Sequence, residues 1–313
     1  MNKGVNFNKL FIFEMANNHA GDLRHGISII GEIAKICKKY DFQFGFKLQY
    51  RSLDTFIHPD FKGRADIKYV KRFEETRLSE NDFKSLKDGI YNAGFIPICT
   101  PFDEKSVDLI EKHNFSVIKI GSCSFTDWPL LERIAQTDLP IIASTASATL
   151  EEIDQVVTFF EHRNKNLCIM HCVGEYPTQK ANLQLNQIDL LRERYPGIAI
   201  GFSTHEEPDN TDSIKVAIAK GAKVFERHVA INSEKHRINA YSSVPSQIDK
   251  WLQAAQDAYE MDGIEEGRYR ITEKVAAAGL DRRLAYSFAA FHKFLSHFTL
   301  PSPIRSPWRG PCG

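Results

Sequence analysis

The sequence predicts an α/β protein, a (β/α)8 TIM barrel followed by an irregular C-terminal tail. Three observations carry that expectation. Eight short apolar runs alternate with amphipathic segments between residue 10 and about residue 260. The runs are apolar without clean alternation, the pattern of strands buried on both faces of a parallel sheet covered by helices. Polar and ionisable residues gather at the C-terminal ends of the runs, where a barrel of this class places its active site. An open doubly wound sheet is the alternative for the same rhythm, but the count of eight favours closure.

Taken in order, the expected strands are Leu10–Ala16, Phe42–Gln49, Phe95–Thr100, Val117–Gly121, Pro140–Ser144, Leu167–Cys172, Ile198–Ser203 and Val224–Val229. Each is followed by a helix-like segment: Leu23–Lys39, Asn81–Ala93, Glu104–His113, Pro129–Gln136, Leu150–His162, Asn186–Tyr195, Thr211–Lys220 and Pro245–Glu260. Asp22 is placed to cap the first of these helices. One connection is long. Residues 50–80 separate the second strand from its helix, and an insertion there is either a lid over the site or a surface excursion. From Val275 onward the alternation stops and Pro301, Pro303, Pro307 and Pro311 interrupt the chain. The expected division is a barrel over residues 1–262 and an atypical extension over 263–313.

Forty basic residues balance forty acidic ones. A net charge of zero gives no electrostatic reason to expect nucleic acid or an anionic membrane as partner. A phosphorylated small molecule needs only a local basic pocket. The six cysteines form no CxxC pair, and four of them (Cys99, Cys123, Cys168 and Cys172) lie in or beside runs that read as buried strands. This usage fits a reducing, cytoplasmic setting. The N-terminus lacks a signal-peptide pattern, and no stretch approaches the ~18 apolar residues of a membrane span.

The strand ends supply the candidate chemistry. Lys47 and Lys119 lie inside apolar strands, and a buried lysine is costly unless an anion meets it. Three readings stay open: a phosphate cradle with Thr100, Ser122 and Ser203, a Schiff-base lysine, or pairing with a carboxylate such as Glu14. His205 and His228 end neighbouring strands, so their imidazoles can converge on one divalent metal that keeps open positions for substrate oxygen. His19, in the NNHAGD turn, has turn and capping chemistry around it. Cys172 beside His171 lacks the further groups of a thiol nucleophile. Glu74, Glu75 and Arg77 in the long connection read as solvated charges.

Seven motifs occur in order, one on almost every expected strand: FEMANNHAGD, FKLQY, CTPFD, IKIGS, MHCVGEYPT, GFSTH and ERHV. Their ordered set resembles the sialic acid synthase (N-acetylneuraminate synthase) family over roughly residues 10–260. The resemblance implies condensation of phosphoenolpyruvate with an N-acetylmannosamine-like aldehyde. The products are a nonulosonate and phosphate. It implies catalytic roles for Glu14, Lys47 and Lys119, and a metal, manganese or else magnesium, on His205 and His228. Phosphoenolpyruvate falls to Lys47, Thr100, Lys119, Ser122 and Ser203, and the sugar to Glu14, Gln49 and Tyr176. A homodimer is implied as well.

The departures from the family pattern lie on the sugar side. Cys123-Ser124 comes after IKIGS where a Gly-Glu pair is usual, and Gly174 stands where Asn or Ser is frequent. HRINAYSS leaves Asn239 as the polar substitute for an aspartate near the sugar. These changes predict an acceptor other than N-acetylmannosamine itself. RYRITEK (268–274) resembles the approach to the family's C-terminal antifreeze-like domain, whereas residues 275–313 do not resemble that domain. In the family that domain contributes an arginine to the partner's site, a role not transferred to Arg282 or Arg283. Two alternatives remain: another phosphoenolpyruvate–aldose synthase, or a non-catalytic paralogue that binds a ligand or partner.

Overall fold

The structure is a computed structural model that describes residues 5–263. Residues 264–313, with Arg282, Arg283 and Cys312, lie outside the described residues. The elements run β1 (Leu10–Glu14), α1 (Leu23–Cys37), β2 (Gln43–Tyr50), α2 (Leu53–Phe56), α3 (Lys68–Glu75), α4 (Glu80–Asn92), β3 (Ile96–Pro101), α5 (Glu104–Lys112) and β4 (Val117–Ile120). They continue through α6 (Trp128–Ala135), β5 (Ile141–Ser144), α7 (Leu150–Glu161), β6 (Leu167–Cys172), α8 (Asn186–Arg194), β7 (Ala199–Thr204), α9 (Asp212–Ala219), β8 (Val224–His228) and α10 (Pro245–Asp262). The eight strands are all parallel and close into a barrel in chain order, β1 pairing with both β2 and β8. This is the predicted (β/α)8 architecture.

The strands alternate although their sequences do not. Leu10, Ile12, Ile98, Val117, Ile142, Cys168, Met170 and Val224 pack together inside the barrel. Their neighbours Phe11, Phe13, Phe46, Leu48, Ile118, Ile169, Phe202 and Phe225 pack outward against the helices. Both faces are apolar because both are buried, so the period of two is invisible in hydrophobicity. Two glycines set the fit of the inner layer. A Cβ at Gly45 would lie 2.6 Å from Ile98 Cδ1, and one at Gly201 2.6 Å from the Val224 carbonyl oxygen.

Element ends obey local chemistry. Asp22 caps α1 by accepting from the backbone N–H of Arg24 and His25, as its position predicts. The first strand is shorter than expected. It stops at Glu14, and Ala16 has φ 46°, a left-handed conformation that turns the chain out of the sheet. Cys123 is a second correction. It lies in the 3-10 turn Ser122–Ser124 just beyond β4 and is exposed, because the chain has already left the barrel wall there.

The connection after β2 folds into α2, a 3-10 turn at Pro59–Phe61, and α3. Arg77 pairs with Asp54, and Glu74 accepts from the Gly63 N–H, all on exposed positions. Phe56 packs edge-on against Phe73 and Phe102. The insertion is thereby tied to the segment after β3, at the C-terminal end of the barrel. Among the described residues no helix is long and apolar enough to cross a membrane.

Candidate active site

Continuing the inward alternation by one more position on each strand replaces the apolar filling with polar groups. Glu14, Lys47, Thr100, Lys119, Ser144, Ser203 and Glu226 are all buried there, one per strand from seven of the eight strands. Lys47 Nζ forms ion pairs with Glu14 and, at 3.2 Å, with Glu226 Oε1. It also donates to Thr100 Oγ1 at 3.3 Å. Lys119 Nζ donates to Ser144 Oγ and lies 4.0 Å from Glu226 Oε2. Ser203 Oγ donates to Glu226 Oε1 at 3.3 Å. Two ammonium groups and two carboxylates therefore form one connected, formally neutral and largely buried cluster.

The cluster separates the two acids. Burial alone raises the pKa of either carboxyl group. At Glu226 the charges of Lys119 and Lys47 overcome burial and bring the value down to about 2. At Glu14 burial prevails over Lys47, and the negative charge of Glu226 adds to it, so the pKa is raised. The lysines differ in the same way. Burial would lower Lys47, but Glu14 and Glu226 together hold it above its ordinary value. Burial dominates at Lys119, which Glu226 only partly compensates, and its pKa falls. Glu226 is a fixed counter-anion, and Glu14 is the carboxyl group of the pair that holds a proton more readily.

Beside this cluster the two predicted imidazoles meet. The His205 and His228 rings are 5.3 Å apart between centroids. His205 Nδ1 is within hydrogen-bonding distance of the Val173 carbonyl, at 3.1 Å, which fixes the ring. His228 Nδ1 is buried without a partner. Burial lowers His205 to about 4 and His228 well below its ordinary value, so both rings are neutral at pH 7 and keep a lone pair. Neutral imidazoles converging beside acidic groups, one with an orphaned buried nitrogen, fit a divalent cation. Among the described residues no third His, Cys, Asp or Glu joins them as a metal cluster. The remaining positions of such a cation would fall to water or substrate.

The other predicted residues surround these two groups. Tyr176 is 56% exposed and its ring lies 4.2 Å from that of His205, so it borders the imidazole pair. Ser122 Oγ accepts from the Ala146 N–H at 3.1 Å and holds the β4 and β5 ends together. Gln49 Oε1 accepts from Arg51. Asn239 donates to Asn18 Oδ1 at 3.2 Å, and Asn18 in turn donates to the Val229 carbonyl just past β8. His19 and His171 are structural. His19 accepts from the Gly21 N–H and packs against Phe83, while His171 faces the helix layer and contacts the Leu183 carbonyl. Burial raises the Cys172 thiol, which disfavours a thiolate.

Three residues at the site are given no role by a reading of the sequence, although the first two fall at strand ends: Glu226, Ser144 and Tyr241. Glu226 has a legible signal. It precedes His228 by two residues on one strand, so the two share a face. Ser144 is likewise the last inward position of β5. Tyr241 has none, because its contact with the His228 ring at 5.0 Å is made from a loop.

Comparison with known proteins bears on this geometry. A profile of the NeuB family matches residues 45–266. The uncharacterised protein MJ1065 of Methanocaldococcus jannaschii is 32% identical over 71% of this chain, and the match spans 62% of that relative's length. The N-acetylneuraminate-9-phosphate synthase of Drosophila melanogaster is 27% identical over 84% of this chain and 71% of its own. A solved structure from Chromobacterium violaceum, assigned by name to spore coat polysaccharide biosynthesis, is 55% identical with a TM-score of 0.84. It covers 86% of this chain and 80% of that one.

Proposed function

The chain belongs to the NeuB family, and from that premise we propose that it condenses phosphoenolpyruvate with an amino-sugar aldehyde to give a sialic-acid-like nonulosonate and phosphate. The observation that carries the reading is the buried cluster of Glu14, Lys47, Glu226 and Lys119 beside the His205–His228 pair. Phosphoenolpyruvate is a small, highly charged anion. Two preorganised ammonium groups, flanked by the hydroxyls of Thr100, Ser144 and Ser203, offer what such an anion requires.

The charges dictate the chemistry. C3 of phosphoenolpyruvate attacks the aldehyde carbon and a C–C bond forms. Positive charge develops at C2, water adds there, and the C2–O bond to phosphate breaks. Lys47 and Lys119 hold the phosphate and carboxylate and neutralise charge as the phosphate departs. Glu14, with its raised pKa, exchanges a proton with the water that adds at C2 or with the new sugar hydroxyl. Glu226 keeps both ammonium groups charged and in place. His205 and His228 would hold a divalent metal, manganese or magnesium, which polarises and orients the aldehyde oxygen when bound. Gln49, Tyr176 and Asn239 border the acceptor side. The working unit in this proposal is a homodimer in the cytoplasm.

The test is phosphate release when phosphoenolpyruvate, manganese and a panel of amino-sugar aldehydes are mixed with the protein. The expected result is sugar-dependent release that Lys47→Met reduces by about a thousandfold or more while the far-ultraviolet dichroism is retained. Sugar-independent release would refute the proposal. So would trapping of a Lys47 or Lys119 adduct by borohydride, which would mark a Schiff-base aldolase.

A further inference from the structure

Resting on that condensation reading, we propose that Arg51 recognises the acceptor, and that the acceptor sugar carries an anionic group, a phosphate ester or a carboxylate, which Arg51 binds. The position comes first. Lys47 and Gln49 share a face at the C-terminal end of β2, and Arg51 is the first residue past that strand. Lys47 belongs to the buried cluster and Gln49 borders the acceptor side. The Arg51 guanidinium turns back towards Gln49, to which it donates, on the outer side of the buried cluster.

The side chain is then held in an unusual way. Its guanidinium carbon lies 4.3 Å from the centre of the Phe73 ring and 3.9 Å from that of Phe102. Phe73 belongs to α3 of the insertion, and Phe102 comes directly after β3. Two aromatic rings packed against the guanidinium leave its edge for hydrogen bonds. Edge-on, planar donation is the geometry that suits phosphate and carboxylate. One edge nitrogen, Nη2, donates to Gln49 Oε1 at 2.5 Å. Nε is buried without a hydrogen-bond partner.

Charge completes the argument. Among the described residues no carboxylate lies within ion-pairing distance of Arg51; burial pulls its pKa down to about 10, which the more distant charge of Glu14 only partly offsets. The acids nearby are committed elsewhere. Glu14 pairs with Lys47 and accepts from the Ala16 N–H. Asp103 accepts from the backbone of Ser52 and Ser106. A largely buried cation without a counter-ion is costly. It is retained where an incoming anion supplies the missing charge. The two lysines with their hydroxyl partners already provide for phosphoenolpyruvate, so the anion left for Arg51 is on the acceptor.

Titration calorimetry of the full chain, in the presence of manganese, tests this with three probes: an N-acetylhexosamine 6-phosphate, the corresponding hexosaminuronate, and the neutral N-acetylhexosamine. One anionic sugar should bind about tenfold or more tighter than the neutral one, and which of the two does so identifies the anion. Arg51→Gln should erase the preference and Arg51→Lys should restore only part of it, with thermal midpoints and phosphoenolpyruvate affinity close to those of the parent. Equal binding of the three sugars, or an anion preference that survives Arg51→Gln, overturns the proposal. So does loss in Arg51→Gln of phosphoenolpyruvate affinity in place of the sugar preference. A protein that shows the sugar preference but neither binds phosphoenolpyruvate nor releases phosphate from it would refute the condensation reading and leave the role of Arg51 standing.

Discussion

A carboxylate between two ammonium groups and a carboxylate beside one do not titrate alike, and in this barrel that difference assigns roles to Glu226 and Glu14. A buried imidazole with no acid beside it shows the opposite sign. His19 is buried, and its Nδ1 accepts from the Gly21 N–H, an interaction possible only while that nitrogen is unprotonated. Burial first, then the charge of Arg51, lowers its pKa from an ordinary 6.5 to about 4. Between those two values the unfolded chain binds a proton that the folded chain refuses. The stability that depends on neutral His19 is therefore complete above pH 6.5 and is lost as the pH falls towards 4. His19→Asn lacks this term. The stability of the parent minus that of the variant, from urea unfolding, should shrink by roughly 2 to 3 kcal/mol between pH 7 and pH 4. Parallel profiles for the two proteins would remove His19 as a source of acid sensitivity.

Elements here are coupled by single side chains at their ends. Asp103 caps α5, accepting from the Ser106 N–H at 2.8 Å, and its other oxygen accepts from the Ser52 N–H at 2.7 Å. One carboxylate thus fixes both the start of a barrel helix and the point where β2 gives way to the insertion. Asp103→Ala should lower stability by about 1–2 kcal/mol in denaturant unfolding. It should also speed hydrogen exchange at Ser52 and the residues after it. A change in exchange confined to α5 would show that the insertion is anchored by other contacts. The helix limits are legible within a residue or two because such caps are local, as at Asp22. The end of β1 is misjudged from sequence because the left-handed turn at Ala16 has no residue-type signal of the kind a glycine would give. The packing of Arg51 against Phe73 and Phe102 is also out of reach, since its three members come from separate parts of the chain and meet only through tertiary structure.

At the scale of the whole molecule, closure of the sheet converts a one-dimensional rhythm into a site. Apolar inward residues fill the lower barrel, and on seven of the eight strands the next inward position arrives at the mouth with a charge or a hydroxyl. This is why Lys47, Lys119, His205 and His228 are legible as a convergent set: each is an ionisable residue in or at the end of an apolar run. Their partners are less so. Glu226 sits beside Arg227, and the closed register places the first inward with His228 while the second turns out to Glu206 and Trp251. The central claim is that the mouth holds a phosphorylated anion on the two lysines, with a cation on the two imidazoles adjacent. A crystal soaked with phosphoenolpyruvate and manganese tests it most directly, the metal being located by anomalous scattering. The account predicts phosphate and carboxylate density contacting Lys47 and Lys119 and an anomalous peak bonded to His205 and His228. Phosphoenolpyruvate bound away from both lysines, or manganese bound away from both imidazoles, would contradict it.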